Sequence, residues 1–73
     1  MDASPAVADA HLAGAQARFV LFLASLLHRE RVIAGPEFGA LLATFAATVS
    51  ETDPGEGAIL AGWAAAVRDI PFP

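Results

Sequence analysis

Few residues in this chain could do chemistry, and the densest group of them is His28-Arg29-Glu30-Arg31. In a catalytic role His28 would be a general base, with Arg29 and Arg31 holding an anion. No second histidine stands near them in sequence. The same residues read more simply as a solvated helix end, where cations oppose the negative pole of the helix dipole. His11 lies seventeen positions before His28; on one straight helix that is about 25 Å, too far to share a metal. Glu37, Glu51, Asp53 and Glu56 gather near the expected loops. A catalytic carboxylate pair would need a cleft and one raised pKa, whereas capping and solubility account for all four. Their spacing does not supply the alternating ligands of a twelve-residue calcium loop. With no cysteine, neither a disulfide framework nor a thiolate metal site can form. The expectation is therefore no catalytic residue, no metal and no cofactor. A small enzyme or enzyme subunit using the His28, Arg29 and Arg31 cluster is the rival.

Composition narrows the partners. A formal net charge of −4 argues against nucleic acid and against an anionic bilayer, since both are bound by clustered cations. All four basic residues are arginine, and with abundant Ala and Gly this bias points to a GC-rich, bacterial genome. The N-terminus, Met1-Asp2-Ala3-Ser4-Pro5, is acidic where a secretory signal would be basic. The absence of cysteine is compatible with a reducing cytoplasm, which is the expected location. The strongest apolar run, Phe19 to Leu27, is about half the roughly 20 residues that a membrane span needs, and Arg18 and Arg29 close it off. A membrane role is not expected; a peripheral membrane-associated helical protein is a further alternative.

The elements that must position these residues are helices, and the chain reads as one all-α domain over 1–73, a compact three-helix bundle. Ser4 caps and Pro5 opens a first helix over about 5–32, with Gly35-Pro36 as its stop. The second spans 36–50, with Phe38, Leu41, Leu42, Phe45 and Val49 as its buried stripe and Glu37, Thr44, Thr48 and Glu51 outside. Asp53-Pro54-Gly55-Glu56 is an aspartate form of the capping box and opens a third helix over 54–69. Its expected buried stripe is Ile59, Leu60, Trp63 and Val67, flanked by the small residues Gly57, Ala58, Ala61, Gly62, Ala65 and Ala66. Residues 1–4 are expected to be flexible, and the tail 70–73 non-helical. Arg68 is the only cation on the third helix, too little for a DNA-reading helix. An unbroken first helix would outrun its neighbours, so it either breaks near Gly14 or projects beyond them.

Nothing here discloses a specific activity; what remains is surface. About 56% of the residues are hydrophobic, alanine supplying a large part; the large apolar side chains that remain still exceed what a three-helix core of this size can hide. The expectation is a non-enzymatic helical protein–protein interaction module: an accessory subunit, assembly factor or small regulator. Its interface candidates are Leu12, Phe19, Leu21, Phe22 and Trp63. Phe19, Phe22, Leu23, Leu26 and Leu27 form the main apolar stripe of the first helix, which two neighbours can cover. Leu21 is singled out because it falls outside that stripe, near the polar side of Arg18, Ser25 and Arg29. The partner is either a second copy, a dimer being the simplest oligomer, or another helical protein.

Overall fold

Three prolines mark where the helices begin. Pro5 and Pro54 are the first residues of their helices and Pro36 the second, positions where a missing N–H leaves no intrahelical bond unmade. The computed structural model describes residues 5–73, with side chains from Ala8 onward. It is an all-α three-helix bundle: α1 (Pro5–Arg29), α2 (Gly35–Ser50) and α3 (Pro54–Arg68), with no strand among the described residues. The expectations of a Ser4 cap and a flexible 1–4 segment fall outside those residues.

α1 is continuous through Gly14, so the break does not occur and the projection does. Its 25 residues extend about 37 Å, and they account for much of the 45 Å long dimension of the molecule. Residues 8–16 are all exposed. The helix ends three residues sooner than expected, and the cause is local. Arg31 takes a left-handed conformation, φ 59°. Its N–H donates to the His28 carbonyl at 3.1 Å and that of Val32 to the Leu27 carbonyl at 2.9 Å, the bond pair that closes many helices. Gly35, expected to stop the first helix, instead opens the second.

At the start of α3, Asp53 caps as expected, its Oδ1 accepting from the Glu56 N–H at 3.0 Å. The reciprocal half of the capping box is missing, because the Asp53 N–H already donates to the Val49 carbonyl at 2.8 Å.

α2 and α3 form the closest pair, and α1 lies against both less extensively. The pair approaches closely because small residues meet large elements at both ends. A Cβ on Gly57 would stand 2.8 Å from the Ser50 Cα, and one on Gly39 would stand 3.2 Å from the Val67 side chain. The fully buried apolar residues are accordingly Ala24, Ala46, Ala64 and Val67.

This corrects the expected core. Phe45 is 55% exposed, and Leu41 and Ile59 are exposed as well, while Leu42, Leu60 and Trp63 are half-buried. Backbones that approach this closely leave no room for large side chains on the line between them, so Phe45 and Leu41 are displaced to the flank. Of the small residues on α3, Gly57 takes part in the packing, but Ala58, Ala61 and Gly62 face outward. Ala64, outside the expected pattern, occupies the centre instead.

Candidate interaction surface

Within the cluster, His28 alone is a structural clasp. Nδ1 of His28 accepts from the Gly35 N–H at 2.9 Å. Ala34, at the N-cap of α2, has no side chain able to accept, so a residue from the end of α1 satisfies one of that helix's free donors. With Nδ1 accepting, the neutral ring carries its proton on Nε2, which lies 3.2 Å from the Pro73 backbone oxygen and donates to it. The ring also stacks against Phe72, centroids 4.6 Å apart. A Cβ at Gly35 would run into the Phe72 ring, so any larger residue there would displace that ring. One histidine thus joins the end of α1, the start of α2 and the C-terminal segment. This overturns its reading as a solvated helix end.

Arg29 and Arg31 are exposed beside an open cleft lined by Ser25, His28 and the Ile70–Pro73 segment. Arg29 approaches Glu30 at 3.8 Å on the surface, a pairing of small energetic weight. Glu37, Glu51, Asp53 and Glu56 are exposed. Among the described residues no three His, Asp or Glu side chains converge as a metal site would require.

The prominent surface lies on α1. Its packed side is centred on buried Ala24, with Ala17, Val20, Leu21, Leu27 and His28 half-buried around it. On the opposite side Leu12 is 57% exposed, Phe19 62%, Phe22 60% and Leu26 40%. At 100° per residue these four occupy an arc of about 80°, turned away from the rest of the molecule. Together with exposed Ala8 and Ala15 they fall at positions 8, 12, 15, 19, 22 and 26, alternating steps of four and three. That is the seam spacing of a helix that pairs with another. The repeat stands in the sequence, and its alternating steps are the signal by which it could have been found there.

Of the expected interface residues, Leu12, Phe19 and Phe22 lie on this stripe. Leu21 does not: it is half-buried on the packed side. Arg18 and Ser25, on the polar side near which Leu21 falls, are exposed at the border of α1's contact with its neighbours and do not oppose it. Trp63 is also half-buried and lies elsewhere, in a shallow groove with Gln16, Glu56, Ile59 and Leu60 between α3 and α1.

α1 carries one more property. The segment Ala8–Arg29 is long and apolar enough to cross a membrane by length and composition, which the shorter run Phe19–Leu27 did not suggest.

Compared with protein-family models, curated proteins and solved structures, the chain has no significant match in any of the three.

Proposed function

We propose that this protein is a non-enzymatic helical interaction module whose docking face is the α1 stripe. The observation that carries the reading is that Leu12, Phe19, Phe22 and Leu26 are exposed in seam spacing on the side of α1 that no other element covers. Scattered exposed leucines are ordinary on any surface. Aligned aromatic and aliphatic side chains on one helix face are the usual anchors of helix-in-groove or helix–helix recognition. The enzyme reading has less support, because both ring nitrogens of His28 are taken up by backbone groups.

A photo-cross-linking residue placed at Phe19 in cells of the source organism is expected to form protein adducts that the same residue at exposed Gly62 does not. Equal or absent adducts at both positions would count against the stripe as a docking face.

Membrane association through the same stripe is a second reading, favoured by the length and apolar content of Ala8–Arg29. Arg18 opposes a full crossing, since it would lie near mid-span at about 2.5–3.5 kcal/mol. Flotation with neutral and anionic vesicles separates the two: protein that rises with lipid favours the membrane.

A further inference from the structure

We infer that the occupant of the α1 stripe is the α1 stripe of a second copy, running antiparallel about a two-fold axis level with Ala17. The inference rests on the reading of that stripe as a docking face and adds the partner and its direction.

Side-chain volumes along the seam carry the argument. An antiparallel pair centred at residue 17 sets Ala15 against Phe19 of the second copy, Leu12 against Phe22, and Ala8 against Leu26. The larger member of each layer thus meets a smaller one, so every layer fills to a similar width, as interlocking side chains require. A parallel pair instead sets Ala15 against Ala15 directly beside Phe19 against Phe19, leaving a hollow next to a crowded layer. The stripe is self-complementary in one direction only.

Area agrees. With exposures of 40–62%, the four large side chains offer on the order of 500 Å² per copy, hence about 1,000 Å² in the pair before Ala8, Ala15 and the flanks are counted; stable interfaces bury about 1,200–2,000 Å². A chain whose fully buried apolar residues, among those described, are three alanines and one valine also gains more from added apolar burial than one with a large core of its own. One contact is unfavourable: Arg18, exposed beside the seam, comes near Arg18 of the second copy. Salt screens such a pair, so the dimer should tighten as ionic strength rises.

The test uses the full chain. Sedimentation equilibrium from low to high micromolar concentration is expected to show a monomer–dimer equilibrium. Phe22→Glu and Ala15→Glu should each raise the dissociation constant by about thirtyfold or more with helical circular dichroism unchanged, since both positions are exposed. Arg18→Gln should lower it. Because the chain has no cysteine, single nitroxide labels are unambiguous. The antiparallel pair predicts a short distance between labels at Gln16 and about 36 Å between labels at Arg29. Short distances at both positions would overturn the antiparallel pair, and a dimer indifferent to both glutamate variants would overturn the stripe as its seam. A wild type that stays monomeric while Phe19 cross-links to a different protein would overturn self-pairing and leave the interaction module standing.

Discussion

His28 holds three segments together through its two ring nitrogens and its face, and its removal should be felt throughout the fold. Without it the Gly35 N–H loses its acceptor and Phe72 loses its stacking partner. His28→Ala is expected to destabilise by about 1–2 kcal/mol, which in a domain of this size lowers the melting temperature by roughly 5–10 °C. The carboxamide oxygen of His28→Asn can replace Nδ1 as acceptor but supplies neither the Nε2 bond nor the ring, so that variant should melt between the two. A melting curve for His28→Ala that overlays the wild type would show that the clasp contributes nothing. Arg31 is the opposite case, a side chain in a backbone conformation that suits it poorly. Its left-handed φ of 59° costs an L-residue roughly 1–2 kcal/mol, part of which glycine gives back through greater freedom when unfolded. Arg31→Gly should therefore stabilise by up to about 1 kcal/mol, read as a raised midpoint in urea with unchanged slope.

Among the helices, glycine position separates contact from simple propensity. Gly57 and Gly62 both lie inside α3, and each lowers the intrinsic preference for helix by about 1 kcal/mol relative to alanine. A Cβ at Gly62 meets nothing within 4 Å, whereas one at Gly57 meets the Ser50 backbone at 2.8 Å. Gly62→Ala should stabilise by about 0.5–1 kcal/mol. Gly57→Ala should destabilise by about 1–3 kcal/mol, because α2 and α3 must separate to admit it. Chemical denaturation of the two variants side by side checks the pair. The same sign for both would mean that the α2–α3 approach is looser than described.

For the molecule as a whole, the question is where its stability resides. The large apolar residues lie mostly at the flanks, and the fully buried ones are small. Phe45→Ala, at a position 55% exposed, should cost less than about 1 kcal/mol, while Val67→Ala removes two methyl groups from a site with no exposure and should cost about 2 kcal/mol. Thermal melts that rank them the other way round would return the core to the aromatic face of α2. The projecting α1 follows the same logic. Its alanine-rich segment 8–16, exposed throughout, relies on helical propensity more than on burial, and the stripe from Leu12 to Leu26 lies exposed along the helix.

The three helices were legible in the chain alone. Prolines at their first turns, the Asp53 cap and the alternation of apolar and polar residues are local signals, and local hydrogen bonding obeys them. That Phe19 and Phe22 share one apolar face of the first helix was also legible, but not that this face is the exposed one. Which face of each helix turns inward depends instead on how the helices pack. Hydrophobic spacing identifies a stripe but not the distance at which its neighbour sits. Here Gly39, Gly57, Ala46 and Ala64 set that distance short, buried small residues and left Phe45 and Ile59 outside. The same choice put Leu21 on the packed side of α1 and Phe22 on the free one. The role of His28 was beyond local reading for a different reason: Phe72 and Pro73 are far from it in sequence, and Gly35, though only seven residues on, meets it only once the chain has turned from α1 into α2.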